Sequence, residues 1–283
     1  MTLAERTQSL SLSGTHVDGV AIPQIGLGTW PMVGQECTDA VVQALSIGYR
    51  HVDTAENYRN EDAVGEALRR TEVPRDQIFL TTKFNREHHG PLAAVRAAVE
   101  QRLSLLGVNE IDLMLIHWPN PDQGKYVETA GALAELVQAG LIRAWGVSNF
   151  TAEHLADLRK AGLQAPINQI QVDPLASQPR LRAVNAEAGT LTAAYSPVGR
   201  DVDLNEYEAL TAPAARLGVT AHQVALRWHV QSGRVAVPKS ANAGRQEANL
   251  DVFGFELTDE DMTGIDALDT GAGPRLDPND FGH

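Results

Sequence analysis

The feature that most restricts how this chain can fold is an alternation. Short apolar runs recur at Tyr49–Asp53, Ile78–Thr82, Ile111–His117, Ala144–Ser148, Ile167–Val172, Leu191–Tyr195 and Val235–Pro238, with Ile25–Gly28 as a weaker eighth. Continuous apolar runs of this length read as strands covered on both faces. Between them lie stretches of helical periodicity: Asp39–Ile47, Glu61–Arg70, Pro91–Leu106, Tyr126–Ala139, Thr151–Lys160, Pro179–Ala188 and Thr220–Gln231. Thr151 offers a helix start, and Gly48, Gly107, Gly140, Gly162 and Gly189 stand where helices should stop. Strand, helix, strand, repeated along the chain, predicts parallel βαβ units.

Two folds satisfy that pattern: a closed barrel and an open doubly wound sheet. The open dinucleotide fold needs G-x-G-x-x-G after its first strand, leading straight into a helix. Gly26-Leu27-Gly28-Thr29-Trp30 supplies two of the glycines and no helix follows directly. The expectation is therefore α/β: a (β/α)8 TIM barrel, one domain over residues 1–283. Ser9–Ser13 and Val17–Ala21 alternate around Gly14-Thr15-His16, which predicts an N-terminal β-hairpin closing the barrel bottom. The tail from Gly271 to His283 is rich in Gly, Pro and Asp and reads as an irregular loop.

Composition narrows the function classes. With 36 acidic and 23 basic side chains the formal charge is −13, which argues against nucleic acid or an anionic membrane as partner. Any polyanionic ligand must be gripped by a local basic cluster. The one cysteine, Cys37, permits no intramolecular disulfide and no thiolate zinc site, which suits a reducing cytoplasm. Met1–Gly14 lacks the apolar stretch of a secretory signal, and no run is apolar and long enough to span a bilayer. The expectation is a cytoplasmic monomer that holds no metal.

In a barrel, chemistry collects where strands end at the C-terminal face. Asp53, Lys83 and His117 end three successive strands, and Tyr58 follows Asp53 on the first of the connecting loops. Carbonyl reduction needs a hydride from one side and a proton for the oxygen. A free phenol, with a pKa of about 10, is a weak acid for that task. A neighbouring ammonium would lower it. Lys83 can play that part for Tyr58, Asp53 can keep Lys83 charged, and His117 can orient the carbonyl, together forming an oxyanion pocket. Trp30, Phe84 and Trp118, at strand ends, are candidate substrate walls.

Asp53–Leu68 (DTAENYRNEDAVGEAL), Ile111–Pro119 (IDLMLIHWP), Gly146–Phe150 (GVSNF), Ala194–Pro197 (AYSP) and Val237–Leu250 (VPKSANAGRQEANL) resemble, in order and spread, the aldo-keto reductase family, in particular its bacterial short-loop members. The resemblance implies an Asp–Tyr–Lys–His tetrad at Asp53, Tyr58, Lys83 and His117. It implies NADPH bound without a Rossmann unit. Ser148, Asn149 and Gln169 would hold the carboxamide, and Tyr195, next to Ser196, would stack on the nicotinamide. Lys239, Ser240 and Arg245 would grip the 2′-phosphate, Arg245 from the start of a short helix Ala243–Ala248, and Asn249 would touch the adenine. The chain departs from the family pattern at Arg59, usually glycine, at Gln171, often Glu, at Ala248, usually acidic or amide, and at Phe84-Asn85, often Leu-Trp.

Taken singly, each of these residues has a plainer reading: a cap, a core aromatic, a solvated charge, a buried histidine. Joint placement on successive strand ends favours chemistry. Adjacent His88 and His89 read as surface residues, Cys37 as inert, and Trp145 and Trp228 as packing. The implied activity is NADPH-dependent reduction of small aldehydes or ketones. The alternatives are a nicotinamide-binding regulatory or scaffold subunit with little turnover, and a cofactor-free barrel lyase or hydrolase.

Overall fold

A computed structural model describes residues 7–271 and 276–283 of the chain. The expectations for Met1–Arg6 and for positions 272–275 of the tail lie outside the described residues. Strands β1 (Ser9–Gly14) and β2 (Val17–Pro23) pair antiparallel. The barrel strands follow: β3 (Leu27–Gly28), β4 (His51–Asp53), β5 (Phe79–Phe84), β6 (Ile111–Ile116), β7 (Ile142–Ser148), β8 (Ile167–Gln171), β9 (Leu191–Tyr195) and β10 (Val235–Val237). They lie side by side in chain order as an eight-stranded parallel sheet. The sheet closes where Ile25 bridges Ala236 and Gly28 bridges Lys239. Closure brings the backbones close: a Cβ on Gly28 would stand 2.7 Å from the Val237 carbonyl oxygen.

The helices are α1 (Gly34–Ile47), α2 (Glu61–Arg70), α3 (Leu92–Leu106), α4 (Tyr126–Gln138), α5 (Ala152–Lys160), α6 (Pro179–Glu187), α7 (Glu208–Leu217), α8 (Ala221–Gln231), α9 (Ala243–Leu250) and α10 (Asp259–Asp266). α5 and α8 start at threonine capping boxes: Thr151 and Thr220 each accept from the third helical N–H, while His154 and Gln223 reach back. Helix α3 stops at Gly107, whose φ of +66° closes the last turn at no Cβ cost.

Two helices lie outside the sequence expectation. Helix α7 carries Pro213 in its interior, a residue that ordinarily breaks a helical pattern. Helix α10 spans only Asp259–Asp266, although Thr258 and Asp261 form a third capping box. Both pack into a satellite core with Leu204, Val224, Trp228 and Leu257. Burial of Leu210, Ala214 and Ile265 there supplies what local propensity does not.

Barrel register decides which side chains face inward. Asp53 is opposite Thr81, and Lys83 stands two residues further along β5. Lys83 is opposite Leu115, and His117 stands two residues beyond it. Leu115 is opposite Gly146, with Ser148 two residues on. A step of two preserves the face of a strand, so this stagger keeps all four on the inner side.

Candidate active site

The interior steps converge on a cavity of about 460 Å³ at the C-terminal ends of the strands. Asp53, Tyr58, His117, Ser148, Asn149 and Gln169 line it. Tyr58 reaches it from the 3-10 turn Glu56–Tyr58. Arg59 closes that turn in the left-handed conformation, φ +53°, and donates its N–H to the Glu56 carbonyl. It thus keeps the backbone shape that a glycine would adopt freely, at some cost in strain.

Lys83 is completely buried. Its Nζ donates to Asp53 Oδ1 (2.6 Å), to the Thr54 carbonyl (3.0 Å) and to Tyr58 Oη (3.4 Å). The other Asp53 oxygen accepts from Gln169 Nε2 at 2.7 Å. Burial alone would depress the Lys83 ammonium, but the Asp53 carboxylate and the Tyr58 oxygen hold its pKa above the ordinary lysine value. The Tyr58 and His117 rings lie edge to face, 5.9 Å between centroids.

Two titrations decide what the group can do. The expectation that Lys83 lowers the Tyr58 phenol pKa meets a stronger effect. Burial raises it, Lys83 lowers it and Asp53 raises it again, and the net direction is up. The phenol is therefore protonated at neutral pH. Burial, then the charge of Lys83 and the nearby His283, push His117 well below the usual imidazole range. Among the described residues its buried Nδ1 has no hydrogen-bond partner.

The neighbouring polar groups form one chain. Ser148 Oγ donates to the Gln169 carbonyl (2.8 Å), and Asn149 Nδ2 donates to the His117 carbonyl and to Ser148 Oγ (both 3.1 Å). Tyr195 Oη donates to Asn149 Oδ1 at 2.9 Å. Asn149 and Ser196, each just past a strand end, take positive φ values of 62° and 49°. Ser196 and Lys239 also line the cavity. Ser240 is buried beyond it, its hydroxyl bonded to the Asn242 backbone. Asn242 caps α9 by accepting from the Arg245 N–H. Arg245 is exposed and Asn249 half-buried on that helix. Among the described residues neither Lys239 nor Arg245 pairs with a carboxylate.

The proposed pocket walls divide. Half-exposed Trp30 and buried Trp118 line the cavity. Phe84 does not. It is fully buried, and its ring meets the rings of His88 and His89. Strand alternation is the reason: with Lys83 pointing into the barrel, its neighbour points out into the helical layer. His89, read as a surface residue, is buried as well, and burial lowers its pKa to about 4. Cys37 is buried, its thiol pushed up to about 12, and Trp145 and Trp228 are wholly buried.

Arg200, Phe281 and His283 are among the lining residues that escaped the sequence reading. Arg200 stands over the Trp30 ring at 5.1 Å and over Tyr195 at 5.9 Å, its Nε donating to Ser196 Oγ. Phe281 packs edge-on against Trp118 at 4.8 Å, and His283 meets His117 at 5.3 Å. The tail is tied down by the Arg86 N–H, which donates to the His283 carbonyl at 2.7 Å. Behind the site, Glu56 is anchored by the Asn85 N–H (2.9 Å), Arg102 (2.6 Å) and His88 (3.0 Å). Burial works against that carboxylate, but the three donors bring its pKa down to about 2. No helix among the described residues is long and apolar enough to cross a membrane.

Known proteins share both sequence and shape with this chain. An aldo-keto reductase of Mycolicibacterium smegmatis (strain ATCC 700084 / mc(2)155) is 44% identical over 265 residues, 93% of this chain and 96% of the relative. The 2,5-diketo-D-gluconic acid reductase B of Corynebacterium sp. (strain SHS752001) is 42% identical over 255 residues, 90% and 92% of the two chains. The crystal structure of a Gox0644 mutant in complex with NADPH superposes with a TM-score of 0.90 at 38% identity, covering 97% of this chain and 98% of that one. The sequence profile of the aldo/keto reductase family matches residues 24–270. With its barrel, its inward-facing carboxylate, phenol, ammonium and imidazole, and these relatives, the chain belongs to the aldo-keto reductase family.

Proposed function

We propose that the protein reduces small aldehydes or ketones to alcohols with NADPH, using Tyr58 as proton donor. The observation that carries this reading is the contact of a protonated phenol with a charged, buried ammonium at the wall of a cavity. NADPH, when bound, supplies the hydride. The residues present suit such a cofactor. Tyr195 offers a ring beside the Ser148–Asn149–Gln169 amide and hydroxyl chain. Lys239 and Arg245 offer two cations without carboxylate partners among the described residues, which suits a 2′-phosphate. The NADPH complex of Gox0644 supports the assignment.

The chain's own groups then act as follows. The neutral His117 orients the carbonyl by a hydrogen bond, and Trp30 and Trp118 flank the substrate. As negative charge grows on the carbonyl oxygen, Tyr58 Oη transfers its proton there. The phenolate left behind sits beside Lys83, whose charge stabilises it. Asp53 keeps Lys83 protonated and fixed, and Gln169 in turn fixes Asp53. In the reverse direction the same phenolate would accept the proton of an alcohol.

The test is Tyr58→Phe, which keeps the ring and removes the proton. Turnover of a panel of aldehydes and dicarbonyls with NADPH should fall by a factor of roughly 10² to 10⁴, while NADPH binding, followed by tryptophan fluorescence, stays near wild type. Unchanged turnover would remove Tyr58 from the reaction. NADPH binding by the wild-type protein without turnover on any carbonyl would instead favour a nicotinamide-binding regulatory subunit.

A further inference from the structure

A second cavity, of about 550 Å³, opens at the hairpin end of the barrel. It lies among the starts of β9 and β10 (Thr190, Thr192, Arg234), helix α6 (Arg182) and strand β1 (Ser11, Ser13). It shares no lining residue with the cavity around Tyr58. Among the described residues its polar side-chain lining consists of hydroxyls and two guanidinium groups, with no Asp or Glu. In a chain of formal charge −13 that is a marked local reversal.

The charges there are only partly balanced from within. Arg234 is 3% exposed. Its Nε donates to His229 Nδ1 (3.1 Å) and its Nη2 to the Trp228 carbonyl (3.3 Å), and its guanidinium lies 4.0 Å over the Trp228 ring. Among the described residues no carboxylate pairs with it. His229 cannot serve as counter-charge. It accepts from Arg234 at Nδ1 and so donates from Nε2 to the Pro197 carbonyl at 2.9 Å, which makes it neutral. Arg182 pairs with one acid, the half-exposed Asp266 at 3.5 Å, and among the described residues its buried Nε has no hydrogen-bond partner. Burial, then Arg182 nearby, bring the Arg234 pKa down to about 9 against the opposing charge of Asp266.

A buried cation without a counter-ion is costly. Guanidinium forks match the oxygens of a phosphate in shape and charge, and two of them sharing one half-exposed acid keep a net positive charge for an anion. We propose that this cavity binds a small phosphate-bearing anion between Arg234 and Arg182, with hydroxyl donors from Ser11 and Ser13 around it. The space exceeds that of inorganic phosphate and admits a phosphate monoester of sugar size.

The experiment is calorimetric titration of the full chain with inorganic phosphate and, separately, with glycerol 3-phosphate, chloride keeping the ionic strength constant. The wild type should bind at least one of them saturably. Equal affinity for both identifies the free ion as the ligand, and tighter binding of the ester identifies an organic phosphate. Arg234→Met and Arg182→Met should each weaken binding by about tenfold or more. Arg245→Ala, which alters the separate phosphate grip proposed for NADPH, should leave this binding unchanged. Should Arg234→Met not fold, Ser13→Asp, which places a carboxylate in the lining, should abolish binding in a folded protein. Absence of saturable binding to the wild type, survival of binding in both arginine variants, or its loss in Arg245→Ala would each overturn the proposal.

Discussion

Asp53→Asn tests how much of this fold is committed to holding Lys83. The substitution preserves shape and removes the only carboxylate oxygen among the described residues bonded to the buried Nζ, at 2.6 Å. Breaking a buried pair by removing one partner costs roughly 3–5 kcal/mol. The Thr54 carbonyl at 3.0 Å and the Tyr58 hydroxyl at 3.4 Å remain as neutral acceptors, which places the expectation near the lower end, about 3 kcal/mol. At roughly 2–4 °C per kcal/mol for a chain of this size, the midpoint should fall by about 6–12 °C. The loss should also depend on pH. In the wild type the Lys83 pKa is raised. Its contribution is therefore complete below the unfolded-state value of about 10.4 and fades as pH climbs through the higher folded value. In Asp53→Asn burial dominates and depresses the pKa, so stability rises with pH below that unfolded value. The gap between the two proteins should narrow from neutral toward alkaline pH. Urea unfolding at several pH values measures it, and adding Lys83→Met to Asp53→Asn should recover part of the loss. A loss under about 1 kcal/mol, as at a surface pair, a gap insensitive to pH, or strict additivity of the two changes would refute the reasoning.

Acid should weaken the fold in two stages. His51, His89, His117 and His229 all have pKa values lowered by burial, so the unfolded chain binds more protons than the folded one below about pH 6.5, and stability should decline as pH falls through that region. Glu56, held near 2, adds a later loss as pH falls from about 4.5 toward 2; urea midpoints that stay flat from pH 7 to 4 would contradict the first stage. Phe84→Ala should cost roughly 3–5 kcal/mol by leaving a core cavity, with KM for carbonyl substrates close to wild type in the folded fraction; a large KM change with intact stability would return Phe84 to the substrate pocket. Arg245→Ala should weaken NADPH much more than NADH in fluorescence titrations, and equal losses would refute a 2′-phosphate contact.

Much of the architecture was written in local patterns. The apolar runs ending at Asp53, Ser148 and Tyr195 become strands with those ends. Alternation could also have placed Phe84: once Lys83 is assigned inward, its neighbour must point outward. Helix α7 was hidden by Pro213, and α10 by its shortness, because both draw their stability from the satellite core rather than from their own sequence. The rest of the site was not legible for a different reason. Arg200, Phe281 and His283 meet the cavity through loop contacts with Trp30, Trp118 and His117, distant in sequence and unmarked by any spacing. Nor could a residue list weigh the burial of Tyr58 against the charge of Lys83. Only the degree of enclosure decides which way the phenol shifts.

The two-residue stagger from strand to strand makes the reaction centre a property of hydrogen-bond pairing. Sliding β5 or β6 by one position would rotate Lys83 or His117 out into the helical shell, whatever the loops did. The loops above, Arg200 and the Phe281–His283 tail among them, are correspondingly free to change length and chemistry. Substrate preference can therefore drift in such a molecule while the machinery beneath it stays locked by the closure of the sheet.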